Sequence, residues 1–311
     1  MRRRAVIGVL AALAAAGSGV GMSSAAFTAN SAAKATITAA SDWTGPSVSI
    51  SSPSDGAMFT SSSPTLFGAA GTDDGDNSTV SFSLFSGSSA SGTPVLSRSA
   101  SRLGGYWYVS LSSLADGTYT MLVTQTDADG NTGRATRTFT IDSTDPTRVS
   151  VTATNGTGAT AGRLEAGDVI TYTYSEAIAP SSILTGFTGA ATAVKVRFLN
   201  QTTDGFTVLD SSSQANVKLD AGTTSNAGVS LGTGANYVSG TVTFNGTMTQ
   251  SADGKSFSIV LGTNDNPSRV LSTVSPLSKL TWTPKTGPTD LAGNAMTSTS
   301  AYTETTAVRH F

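Results

Sequence analysis

The residues of this 311-residue chain that could carry chemistry are mainly carboxylates and amides in short polar loops. In one loop, Asp127, Asp129 and Asn131 alternate around Gly130. Three side-chain oxygens at this spacing could converge on a calcium ion, with water completing six to eight ligands. The same residues also fit a tight turn, in which Asp127 accepts backbone N–H bonds, Gly130 takes a positive φ and Asn131 bonds locally.

A second copy of this pattern favours the turn. The sequence Asp290-Leu-Ala-Gly-Asn294 keeps the aspartate, glycine and asparagine but has no middle carboxylate. The first copy also has no glutamate downstream where an EF-hand loop would place one. Calcium at Asp127, Asp129 and Asn131 remains the alternative. The residues with a predicted turn role are Asp127, Gly130, Asn131, Asp290, Gly293 and Asn294.

Another loop, GTDDGDN at 71–77, places Asp73, Asp74 and Asp76 within a few residues of one another. Like charges at this density repel unless they are solvated or bound to a cation. We interpret the loop as an exposed acidic turn, with a calcium site as the alternative.

The sequence offers little for catalysis. His310 is the only histidine, and its place next to the last residue predicts a frayed end. There is no cysteine, so thiol chemistry, disulfides and thiolate metal sites are excluded. A single histidine also gives no support for a Ser-His-Asp triad or a histidine-based zinc centre. We therefore predict no enzyme activity, no catalytic residue and no cofactor apart from the alternative calcium.

Two tyrosines are candidates for ligand binding. Tyr106 and Tyr108 flank Trp107 in the run YWYVSL, so alternation along a strand points them to the face opposite Trp107. If that face is uncovered, the pair could stack on a sugar. Ordinary cross-strand surface tyrosines are the simpler interpretation.

Composition favours a β protein without a nucleic-acid partner. The chain has 18 basic and 20 acidic residues and a net charge of −2, whereas nucleic-acid binding needs a basic face. From Ser47 onward, short alternating apolar runs are separated by Gly, Pro, Asp and Asn, which predicts an all-β sandwich or barrel. The predicted strands of the first half are 48–51, 65–69, 80–85, 106–111, 117–127 and 136–141.

The stretch GGYWYVSLSSLADGTYTMLVTQTDADGNTGRATRTFTIDSTDPT resembles the second half of bacterial immunoglobulin-like (Ig-like) domains of surface proteins. The shared features are a strand containing Trp107, an L-x-D-G-x-Y corner ending at Tyr119, the D-x-x-G-N turn, and a closing D-x-x-x-P at Asp142–Pro146. The resemblance implies one sandwich over residues 46–146.

Residues 147–311 resemble a second Ig-like class, that of surface-layer and adhesin modules, through RLEAGDVITYTYSEAI and KLTWTPKTGPTDLAGNAM. This stretch is long for one sandwich of about 100 residues. We assign the excess to an insertion at about 183–262, with hairpins turning at Asp204-Gly205 and Asp253-Gly254. Between these hairpins, residues 211–234 are expected to form a lateral loop or a small extra sheet.

The first residues predict export. Arg2 to Arg4 precede an apolar run of about 16 residues, short of the ~20 needed to span a bilayer, so residues 1–26 read as a signal peptide. The following stretch AAFTANSAAKATITAASDW is similar to the start of the TasA/camelysin class of exported matrix proteins, and residues 27–45 would form an extension or linker.

Together these features predict an extracellular or cell-surface protein with no membrane segment in the mature chain. Its expected role is a structural or adhesive spacer or a matrix component. The alternative is a secreted module that binds a glycan or a protein through the tyrosine face or the insertion. Cell-wall or matrix polysaccharide and other surface proteins are then the candidate partners.

Overall fold

The computed structural model describes residues 43–272 and 275–311, and nearly all regular structure in them is β-strand. The predicted all-β class is confirmed. The proposed signal peptide and most of the following extension lie outside the described residues. No helix in the described ranges has the length and apolar character needed to cross a membrane.

The first seven strands form two sheets that enclose one core. The larger sheet has the order β1-β7-β6-β3-β4, with β1 parallel to β7, and the smaller sheet pairs β2 with β5. The strands are β1 (Ala57–Phe59), β2 (Thr65–Ala69), β3 (Thr79–Ser86), β4 (Leu96–Ser101), β5 (Tyr106–Ser110), β6 (Gly117–Thr126) and β7 (Thr132–Ile141).

Alternation along these strands builds the core, as the sequence predicted. Every second residue of β5 is buried, and Trp107 is fully buried with its indole N–H donated to the Ser49 carbonyl at 3.1 Å. The opposing side chains Met121 and Phe139 are fully buried as well. Burial of each such side chain stabilises the fold by about 2–3 kcal/mol.

The first half departs from the expected strands in two ways. Residues 48–51 run beside β2, with the Ser49 and Ser51 amides donating to the Ala69 and Phe67 carbonyls, but they form no regular strand. Strands β1 and β4 were not predicted, because β1 has only three residues and the sequence LSRSAS of β4 carries few apolar side chains.

The remaining strands form one nine-stranded sheet around a second core. Its order is β16-β15-β12-β11-β10-β13-β14-β9-β8. A four-residue helix, α1 (Pro180–Ile183), and a 3-10 turn, Pro267–Arg269, accompany it. The strands are β8 (Arg148–Thr154), β9 (Val169–Tyr174), β10 (Thr192–Leu199), β11 (Gly205–Asp210), β12 (Val229–Ser230), β13 (Val242–Gln250), β14 (Ser256–Asn264), β15 (Thr281–Trp282) and β16 (Tyr302–Thr303).

The two hairpins expected in an insertion lie in the middle of this sheet, where β10 pairs with both β11 and β13. The second hairpin turns at Gly254, which has φ +74°, as predicted. The turn of the first hairpin lies earlier than predicted, at 200–204, because Gly205 already pairs with Leu199 in the ladder. Asp204 is buried and accepts the amides of Tyr237 and Val238.

Residues 211–234 form neither a lateral loop nor a separate sheet. Their strand β12 joins the nine-stranded sheet between β11 and β15. Val217 and Leu219, from the same stretch, are fully buried in the second core. The segment therefore supplies core packing as well as surface.

The expectation that His310 frays is wrong. Its ring is fully buried, and Nε2 lies 3.0 Å from the Ser278 carbonyl. Phe311 is also fully buried, with ring centroids 5.5 Å from Tyr237 and 5.6 Å from Phe198. The apolar Phe311 side chain packs in the second core and keeps this segment in place. The polar residues that precede Phe311 gave no sign of this in the sequence.

Candidate functional site

The two D-x-x-G-N turns share two hydrogen bonds between the asparagine and the aspartate. In each turn, the backbone N–H of the asparagine donates to Oδ1 of the aspartate, at 2.8 Å for Asn131 to Asp127 and 2.9 Å for Asn294 to Asp290. The asparagine Nδ2 donates to Oδ2, at 2.9 and 2.7 Å respectively. The glycine before each asparagine has a positive φ, +88° and +103°. Both carboxylate oxygens of Asp127 and of Asp290 thus serve the turn.

The two loops considered for calcium are neighbours in space. Asp76 pairs with Asp127 in an isolated bridge, and the Ala128 amide donates to the Gly75 carbonyl at 2.9 Å. Within the acidic loop, Asp76 Oδ2 accepts the Asp73 amide at 2.9 Å. Asp76 therefore uses its carboxylate to shape its own loop.

Another set of acidic residues converges more closely. Asp142, Glu176 and Asp290 each offer a carboxylate oxygen within 4.8 Å of the other two, and no other three acidic or histidine side chains of the described ranges do so. Asp73, Asp74 and Asp76 are thus not brought together in this way. We call Asp142, Glu176 and Asp290 the acidic cluster. Each belongs to a different motif of the sequence, so only the folded chain reveals their proximity.

Two members of the acidic cluster, Asp142 and Glu176, have raised pKa values. Burial is the main cause for Asp142, and the negative charges of Asp290 and Asp116 add to it. Burial is also the main cause of the raised pKa of Glu176, followed by repulsion from Asp142 and Asp290. Oε1 of Glu176 is shielded from solvent and has no hydrogen-bond partner. A proton or a divalent cation would relieve this repulsion.

Asp142 of the acidic cluster is also the first residue of segment 142–147, which joins the two cores. Side chains from both halves of the chain form hydrogen bonds with this segment. From the first half, Asp116 accepts the Ser143 amide at 2.9 Å and the Thr144 hydroxyl at 2.7 Å. These bonds hold the pKa of Asp116 below its usual value. From the second half, Asn294 Nδ2 donates to the Asp142 carbonyl at 2.8 Å.

Two further features stiffen the same segment. The Thr147 amide donates to Ser175 Oγ at 2.9 Å, and the Ser175 amide donates back to the Thr147 carbonyl at 2.9 Å. Pro146 is buried, and its ring fixes its own φ. Hydrogen bonds from both halves of the chain therefore converge on this segment.

Tyr106 and Tyr108 lie on the outer face of the β2–β5 sheet and are about half exposed. Phe67, which the sequence analysis did not single out, lies directly opposite Tyr108 in the register. Their rings are stacked, with centroids 6.0 Å apart. The signal for Phe67 was the alternation of TLFGA, but its partner strand could be known only from the fold.

His310, Glu304 and Ser278 lie together but do not form a catalytic triad. Glu304 Oε2 and the Ser278 carbonyl both approach the same ring nitrogen, Nε2, at 3.3 and 3.0 Å. The Ser278 hydroxyl is buried without a partner, and His310 has no solvent-exposed surface. A substrate cannot reach this group without unfolding the segment around it.

The first core contains a hydrogen bond that is typical of immunoglobulin folds. Tyr119 OH donates to the Ala115 carbonyl at 3.0 Å, which is the tyrosine corner found in immunoglobulin folds. Residues 36–143 match the family model described as bacterial Ig-like domain. This stretch is therefore similar to bacterial Ig-like domains.

The curated proteins and solved structures add no evidence about the fold or role of this chain. None of the curated proteins matches the chain. The solved structure of dimeric latent PorU from Porphyromonas gingivalis matches 71% of this chain at 11% identity with a TM-score of 0.27, and this chain covers 20% of it. A tetra-tandem repeat in the extending region of a large adhesion protein matches 86% of this chain at 14% identity with a TM-score of 0.25, and 66% of it is covered. TM-scores this low do not establish a shared fold.

Proposed function

We propose that this protein is a non-catalytic module of an exported, cell-surface protein and that its two sandwiches, residues 46–146 and 147–311, act together as a stiff spacer. The bacterial Ig-like domain supports a surface role, and the basic and apolar start of the sequence supports export. The proposal needs no cofactor, since each sandwich has its own apolar core.

The observation that carries the spacer role is the bracing of segment 142–147. Asp116 holds it from the first core, and Asn294 and Ser175 hold it from the second. A flexible tether between domains is instead solvated and makes few such bonds. A stiff joint keeps whatever lies beyond it at a fixed distance, which is the property that a spacer requires.

Mechanical unfolding of the full mature chain, pulled from handles at its two ends, tests this role. Because the chain has no cysteine, introduced cysteines give unique attachment points. We expect two separate unfolding steps, one for each sandwich. At up to about 3.6 Å per extended residue, residues 46–146 release roughly 360 Å of chain and residues 147–311 roughly 590 Å.

Two core variants assign the steps. Phe139→Ala should weaken only the shorter step and Phe311→Ala only the longer one, because these side chains belong to different cores. A single step that releases the whole length, or extension without any discrete step, would overturn the proposal.

Labelling of intact cells with a membrane-impermeant amine reagent tests the cell-surface location, since Lys218 and Lys255 are exposed.

A further inference from the structure

The outer face of the β2–β5 sheet is an aromatic strip with a polar rim. Phe67, Tyr106 and Tyr108 are 38%, 52% and 51% exposed. The planes of Phe67 and Tyr108 differ by only 26°, so these two rings are nearly parallel. Beside them, the hydroxyls of Thr65 and Ser110 lie 3.2 Å apart. Neither β2 nor β5 contains a charged residue.

A cavity of about 320 Å³ lies at the end of β5, where the chain leaves the strip. Arg98 connects the two, because it lines the cavity and its Nη1 donates to the carbonyl of Ser110 in β5 at 3.2 Å. This volume is at the lower end of the range for small-molecule sites, about 300–1,000 Å³. The cavity lining combines hydroxyl, aliphatic and aromatic groups with one cation, as in Ser112, Leu114, Tyr119 and Arg98.

Arg98 gives the cavity its charge. Among the described residues, it is the only charged side chain in the lining, and it makes no ion pair there. A guanidinium that is bonded only to a carbonyl retains N–H donors for a planar carboxylate. The cavity therefore complements an anionic group at the end of an otherwise uncharged strip.

We propose that the strip and the cavity together bind a carbohydrate chain that carries carboxylates. Sugar rings have an apolar face that suits the exposed aromatic rings and hydroxyls that suit Thr65, Ser110 and the serines of the cavity. A carboxylate on one sugar unit pairs with Arg98. An acidic peptide would satisfy the charge but makes no special use of flat rings edged by hydroxyls. This activity goes beyond the spacer role and does not rest on it.

Binding of the mature chain to polygalacturonate, measured by isothermal titration calorimetry, tests the proposal. The matched probe is the same polymer with its carboxylates methyl-esterified, which keeps the sugar rings and removes the charge. Polyglutamate, which keeps the charge without sugar rings, is the second control. We expect saturable binding to polygalacturonate, roughly tenfold weaker binding to the ester because a charged hydrogen bond is lost, and no saturable binding to polyglutamate.

Four variants separate the parts of the site. Arg98→Gln should weaken polygalacturonate binding roughly tenfold and abolish the preference over the ester. Phe67→Ala/Tyr108→Ala should weaken binding to both sugar polymers about equally. Arg134→Gln and Trp43→Ala, which change an exposed arginine and an exposed aromatic outside the site, should bind like the native chain. Unchanged melting midpoints show that each variant is folded.

Several results would overturn the proposal. They are the absence of polygalacturonate binding, equal affinity for the methyl ester, and equal affinity for polyglutamate. Undiminished affinity for polygalacturonate in a folded Phe67→Ala/Tyr108→Ala variant would also overturn it, because the contact would then lie elsewhere. None of these results affects the two unfolding steps expected of the spacer, so the two proposals can fail separately.

Discussion

Asp220 is a buried carboxylate with an unusually complete set of hydrogen bonds. It is fully buried, and its two oxygens accept four hydrogen bonds, from Thr207 Oγ1, the amides of Gly222 and Val208, and Tyr172 OH. These bonds favour the charged form, but burial outweighs them, and no cationic side chain in the described ranges contributes to the balance. The pKa of Asp220 is therefore raised to about 6.

The sign of the resulting pH dependence follows from the two states. The folded pKa lies above the unfolded value of 3.8, so the native state binds the proton more tightly. The penalty for the charged form is fully present above pH 7 and is relieved as the pH falls from about 6 to about 4. We expect this group to make the native chain up to about 2.5 kcal/mol more stable at pH 4 than at pH 7.5, relative to Asp220→Asn.

Urea unfolding of the native chain and Asp220→Asn at both pH values measures this difference. The exposed Asp73→Asn serves as the control, because it leaves the Asp220 contribution in place. An identical change with pH in the native chain and Asp220→Asn would show that the buried carboxylate is not the source.

At the scale of the elements, the last segment of the described chain closes the second core. Phe311 packs against Phe198 of β10 and Phe206 of β11, which are central strands of the nine-stranded sheet. Tyr237 OH donates to the His310 carbonyl at 2.9 Å and fixes the backbone beside it. The segment is thus part of the fold and not a free tail.

Replacement of the Phe311 side chain by alanine tests its place in the core. We expect Phe311→Ala to lower the free energy of unfolding by about 3–5 kcal/mol, because it leaves a cavity among aromatic side chains. Val308→Ala, at a side chain that is 41% exposed, is the matched control and should cost less than about 0.5 kcal/mol. Thermal or urea denaturation gives both values, and equal effects of the two variants would contradict this packing.

How much of the fold could be read from the sequence depended on whether the signal was local. Alternation around Trp107 and Met121 predicted buried faces, and the Asp253-Gly254 dipeptide predicted a hairpin turn. Pairing between distant strands has no local signal, so the central place of β10 to β14 was not anticipated. The acidic cluster was missed for the same reason, as Asp142, Glu176 and Asp290 come from three separate motifs.

At the scale of the whole molecule, the account depends on the junction between the two cores. Hydrogen bonds from Asp116 and Asn294 hold segment 142–147, while the acidic cluster beside it introduces repulsion. The bracing bonds are made by the chain itself and involve several backbone groups. We therefore expect them to hold the junction even without a cation to neutralise the acidic cluster.

Double electron–electron resonance, which measures the distance between a spin label on each core, tests this claim most directly. Labels at Ser99→Cys in β4 and Thr247→Cys in β13 occupy exposed positions on the two cores, in a chain without native cysteine. In EDTA, we predict one narrow distance distribution, which broadens in Asp116→Ala/Asn294→Ala. A broad distribution for the native junction in EDTA, whether or not calcium narrows it, would contradict the claim that the chain itself fixes the two sandwiches relative to each other.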